Sequence, residues 1–119
     1  MVIFMHIELE KFICACIEKG KYEELGNSKM GNKQYTIIKS AYLSLKKAGR
    51  LDDMTGLLEH ENPYVRLWAA SYMLPILPTK SENTLKELST LKGKPVAFSA
   101  QMTLQEWRKG NLKFPTEKR

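Results

Sequence analysis

At 119 residues, with 43% hydrophobic and 27% charged residues, the chain has the apolar content for one core, and a second domain would be starved of one. Those fractions are ordinary for globular domains and exclude a chain too polar to fold. The formal charge is +6, and fifteen of the nineteen basic residues are lysine, more often a solubility device than a recognition surface; the excess leans to the N-terminal half, but no run of like charge marks a nucleic-acid arm.

The opening apolar run, Met1 to Met5, is interrupted by His6, Glu8, Glu10 and Lys11, too soon for a signal peptide's apolar region or a membrane span. The chain therefore reads as cytoplasmic, with no membrane partner. Helical spacing of apolar residues recurs in segment after segment, without the strict alternation expected of strands. A first helix is expected from His6 to Glu18, with Leu9, Phe12, Ile13, Cys16 and Ile17 on one stripe and Gly20 as its stop. Residues 21–32 are polar and contain Gly26 and Gly31, so they read as connection with a short helical turn at Tyr22 to Leu25.

Asn32 is the expected N-cap of a second helix carrying Ile37, Ala41, Leu45 and Ala48, which Gly49 ends. A shorter helix follows, with Asp52 and Asp53 placed where the helix dipole favours negative charge. Asn62 followed by Pro63 marks the start of a fourth helix, since proline at the first helical position loses no hydrogen bond. Apolar residues line both of its sides, Val65, Ala69, Tyr72 and Ile76 on one and Leu67, Ala70, Leu74 and Leu77 on the other. It is the expected central helix, bent or terminated by Pro75 and Pro78.

Thr79 and Glu82 have capping-box spacing before Leu85, Leu88 and Leu91, giving a fifth helix that Gly93 stops. Pro95 opens a sixth, with Ala97, Ala100, Leu104 and Trp107 on one face, ending at Gly110; residues 111–119 read as an extended tail. Ala41, Ala69 and Ala100 occupy similar places in alternate helices, where a small residue lets helix axes approach closely. The expected fold is all-α: a short α–α superhelix of the HEAT or armadillo kind, about six helices in stacked antiparallel pairs, forming a single domain over residues 1–119.

The stretch from Leu57 through Asn62 and Pro63 to Ala70 resembles a HEAT-type corner: leucines closing one helix, then Val65-Arg66 and paired alanines opening the next. Together with Phe98-Ser99-Ala100 and the ending Leu104 to Gly110, Val65 to Ala70 resembles a small bacterial family of unknown function with a HEAT-like right-handed helical fold. Members of that family recur among immunity proteins of polymorphic toxin and contact-dependent inhibition systems. The match covers roughly residues 31–112 and brings no catalytic residue with it. One departure is the corner residue: HEAT repeats often hold aspartate there to pair with arginine, and this chain has Asn62.

Candidate sites have competing plain readings. His6 and His60 are the only histidines, no His-x-x-x-His or Cys-x-x-Cys spacing occurs, and no metal or cofactor is expected. Cys14 and Cys16 point apart on a helix and read as reduced core or boundary residues. Asp52 and Asp53 read as helix-start charges rather than acid–base catalysts, so no enzymatic activity is expected. Arg66 reads as an internal brace or as a recognition residue grouped with Tyr64 and Trp68. Trp107 with Arg108 and Lys109 reads as a packed helix end in preference to a nucleic-acid contact.

The functional expectation is a protein-binding module, an immunity protein that occludes a cognate toxin, with nucleic-acid binding through the lysine-rich surface as the alternative. Immunity proteins against nucleases are often acidic, so a basic chain either points to an acidic toxin surface or counts against that reading. The candidate contact residues are Tyr22, Lys33, Tyr35, Tyr42, Tyr64, Arg66 and Trp68.

Overall fold

The structure, a computed structural model, describes residues 2–116. Among them lie five α-helices and one 3-10 helix, with no strand, as an all-α chain requires. The described residues divide into two compact units, residues 2–54 with 115–116, and Thr55–Phe114.

The first unit is a helical hairpin. Helix α1, Val2–Leu25, packs along α2, Ser28–Lys47, and their two-residue connection forces the pair antiparallel. Phe12, Ala15, Cys16, Lys19 and Gly20 are buried on α1 at the i, i+3, i+4, i+7, i+8 spacing of one helix face. On α2 the buried residues are Gly31, Ile38, Ala41, Tyr42 and Leu45.

Here the sequence expectation needs correction. Gly20 does not stop α1, which continues through the supposed connection, because a glycine ends a helix when it takes a left-handed conformation and Gly26 does so instead, at φ 71°. The Gly26 N–H donates to the Glu23 carbonyl (3.1 Å) and the Asn27 N–H to the Tyr22 carbonyl (2.9 Å), the reciprocal pair of a Schellman ending. Ion pairs Lys19–Glu23 (2.8 Å) and Lys21–Glu18 (3.0 Å) support the added turns. The N-cap of α2 is Asn27, not Asn32: its Oδ1 accepts from the Met30 N–H at 3.1 Å. Gly31 therefore lies inside α2, where it faces Lys19, Tyr22 and Glu23 of α1.

Helix α2 ends as expected, with Gly49 at φ 72° and the Arg50 N–H returning to the Leu45 carbonyl at 2.8 Å. A 3-10 helix, Leu51–Glu59, follows, begun by an Arg50–Asp53 ion pair of 3.1 Å; the division between the two units falls inside it.

In the second unit α3, Pro63–Met73, packs on both α4, Pro78–Leu88, and α5, Pro95–Lys109, which also pack on each other. Asn62 caps α3 as expected, its Oδ1 accepting from the N–H groups of Tyr64 (2.8 Å) and Val65 (3.3 Å). Val65, Ala69, Ala70 and Met73 are fully buried, so α3 is central to this unit. It stops at Met73, and the expected stripe loses its end: Ile76 lies in the following turn, exposed. The Thr79 capping box does not form either. Pro78 holds the first helical position, Leu77 caps without a side-chain bond, and Glu82 is engaged by α5. Ala69 and Ala100 are both buried, and α5 ends at Gly110 as its sequence indicates. Residues 111–116 form no helix.

Candidate partner-binding surfaces

In the second unit, α3 begins with Tyr64, Arg66 and Trp68, and their spacing decides their fates. Residues two apart on a helix point to opposite sides, whereas residues four apart share one. Tyr64 turns into the core at 5% exposure, while Trp68 is half-buried with its ring centroid 5.8 Å from that of Tyr72. Arg66 points the other way. Its Nη1 donates to the backbone carbonyls of His60 (2.7 Å) and Glu61 (3.2 Å), and His60 Nδ1 in turn accepts the Asn62 N–H at 3.0 Å. Arg66 is thus the internal brace of the Glu59–Asn62 corner, and the expected aromatic-plus-arginine cluster is not assembled. The outer part of Arg66 reaches a cleft of about 320 Å³ that it shares with Lys80, Asn83 and Glu87, where Lys80 lies 3.7 Å from Glu59. Trp107 donates its indole N–H to Glu82 at 2.9 Å, tying α5 to α4, the packed-helix role its sequence indicates.

In the first unit, Tyr42 lies in the core at 3% exposure, and burial raises the pKa of its phenol. Lys46 sits 6.0 Å from its ring centroid. Tyr42 and Tyr64 therefore belong to core packing, because so little of either side chain reaches solvent. Tyr22, near the end of α1, and Tyr35, on α2, are half-buried, and Lys33 is exposed. Tyr22 stands beside the backbone of α2 at Gly31, so the residues that keep partner-accessible surface in this unit are carried on a hairpin whose corner is fixed by Gly26 and Asn27. Cys14 is exposed and Cys16 buried, with burial pushing the Cys16 thiol well up from its usual range. No group of three or more His, Cys, Asp or Glu gathers to hold a metal ion among the described residues. No helix among them is long and apolar enough to cross a membrane.

One feature went unread in the sequence. Residues 25–51 contain five lysines and Arg50 with no acidic residue, and the rest of the chain contains thirteen of each sign, so the whole excess of +6 lies there. Comparing halves of the chain dilutes this with the acidic α1; comparing helices reveals it. A shallow depression of about 530 Å³ runs along α2, lined among others by Tyr35, Lys39, Leu43 and Lys47.

No protein-family profile matches the chain, and no curated protein sequence does. The crystal structure of the protein RPA1889 from Rhodopseudomonas palustris CGA009 is similar to it, with a TM-score of 0.79 at 24% identity, over 94% of this chain and 93% of the other. That likeness establishes a shared fold.

Proposed function

We propose that this chain is a protein-binding module of the immunity type, acting in the cytoplasm by covering the surface of a cognate toxin. The reading rests on the resemblance of Val65 to Ala70 and Leu104 to Gly110 to a family that recurs among immunity proteins. The observation that carries it is the α1–α2 hairpin: Tyr22 and Tyr35 keep part of their rings in water, with Lys33 exposed, on a backbone held by an Asn27 cap and a Schellman turn. Tyrosine on a rigid support offers large contact area at little entropic cost on binding.

A second reading, nucleic-acid binding, draws on the positive charge of residues 25–51. The two differ in salt response. Affinity for nucleic acid falls by powers of ten between about 50 and 200 mM salt when six or more phosphates are contacted, whereas a protein complex is far less sensitive. The deciding experiment co-expresses the chain with the product of the gene immediately upstream. Growth rescue together with co-purification at 200 mM salt, of the order set by that salt response, supports the immunity reading. Failure to rescue growth from a toxic neighbour, or a neighbour with no toxin region, refutes it.

A further inference from the structure

We infer that the outer face of α2 is a docking strip for an acidic, amphipathic helix of a protein partner, an assignment that rests on the protein-binding reading above. At 100° per residue, the buried residues Gly31, Ile38, Ala41, Tyr42 and Leu45 define one side of α2. Lys29, Lys33, Lys39 and Lys47 fall on the opposite side, all exposed, with Thr36, Ser40 and Leu43 between them. At 1.5 Å per residue, the eighteen steps from Lys29 to Lys47 span roughly 27 Å.

Two further observations set this strip apart from an ordinary lysine-bearing surface. Among the described residues outside α2, ion pairs join Lys11–Glu8, Lys19–Glu23, Lys21–Glu18, Arg50–Asp53, Lys80–Glu59 and Lys109–Glu106, while Lys86, Lys92 and Lys94 belong to none of them. None of these pairs includes a lysine of α2, which contains no acidic residue at all. Among the described residues, Lys29, Lys33, Lys39 and Lys47 thus have no carboxylate on their own helix and belong to no ion pair.

The strip is also narrow and partly apolar. On one flank α1 contributes a carboxylate that is already paired, Glu8, 3.5 Å from Lys11 and bordering α2 at Ser40 and Ser44. The unbalanced charge is therefore about one helix wide. The four outward lysines number fewer than the roughly 6–10 phosphate contacts that give nucleic-acid binding its steep salt dependence. Half-buried Leu43 and Tyr35 line the depression beside Lys39 and Lys47, and they offer an apolar seat that a phosphate backbone has no use for. An amphipathic helix with carboxylates along the edges of an apolar stripe matches both features, and a length of about eighteen residues matches the span.

The test uses the full chain and a fluorescently labelled helical peptide of about eighteen residues, with glutamates flanking a leucine stripe. Its comparison probes are the same peptide with glutamine for glutamate and a duplex oligonucleotide, all read by anisotropy. The expected result is saturable binding of the acidic peptide, weakened about tenfold by K33Q/K39Q/K47Q and by less than about twofold by K80Q/K86Q/K92Q, which removes the same charge from the second unit. Circular dichroism checks that both variants are folded. Equal weakening by the two triple variants, tighter binding of the duplex than of the peptide, or no binding of the acidic peptide overturns the strip. The two proposals fail separately. If K33Q/K39Q/K47Q rescues growth from the toxin as well as the natural chain does, the strip is wrong and the module reading stands; if the natural chain binds the peptide through the strip but never rescues growth, the reverse holds.

Discussion

The α1–α2 hairpin and the helices α3 to α5 solve the same problem with different means. In the second unit the central helix α3 is covered by two others, so it buries residues around most of its circumference and begins at an Asn62 cap with two hydrogen bonds. Its polar side chains are used inward: Arg66 on corner carbonyls, Trp107 on Glu82. The hairpin has only two helices. Each buries one face, and the outer side of α2 keeps Lys29, Lys33, Lys39 and Lys47 exposed, four of the six basic residues that make up the chain's unbalanced charge. A region with little interior has more surface to present, and in this protein the surface with a directional chemical character belongs to the simpler unit.

Truncating one core leucine in each unit puts the largest strain on that contrast. Leu85→Ala in α4 and Leu45→Ala in α2 each remove a fully buried side chain, and each is expected to cost about 2–5 kcal/mol in urea unfolding. Leu85→Ala belongs at the upper end, because its surroundings in a three-helix packing relax less than a two-helix layer does. The opposite order breaks the comparison.

Helix caps give a smaller and sharper version. Asn62→Ala deletes two accepted hydrogen bonds and Asn27→Ala only one, so the first should cost about 1–2 kcal/mol and the second under about 1 kcal/mol, again by urea unfolding. Equal costs would mean that the connection at Gly26 and Asn27 is as tightly specified as the Asn62 corner.

The smallest effect bears most directly on function. Lys29→Glu places a negative charge in the first turn of α2, four residues ahead of Lys33, and both the helix dipole and the new ion pair should raise stability by about 0.5 kcal/mol, read as a higher Tm. A gain shows that α2 keeps lysine at a cost to its own stability. A loss shows that the lysine has a structural partner and weakens the case for an outward role.

Much of the fold was legible from local chemistry alone. Asn62-Pro63, Pro95 and the glycines at 49 and 110 act on the backbone within a few residues of themselves, and each marks a boundary where expected. Helical periodicity likewise identified the all-α class, because burial on a helix repeats in the sequence whatever the helix packs against. Tertiary contact decided which glycine ends α1. Gly20 and Gly26 look alike in the sequence, but Gly20 is buried on the face that packs along α2, so the helix continues past it. The same shift moved the cap of α2 from Asn32 to Asn27 and set the helix bounds that bring Lys29 onto the same helix as Lys33, Lys39 and Lys47. The inward turn of Tyr42 and Tyr64 and the diversion of Glu82 from capping box to Trp107 were likewise settled by neighbours distant in sequence. Composition determines how much charge and apolar surface the chain carries; which side chains face water depends on what each helix packs against, and that is a property of the fold.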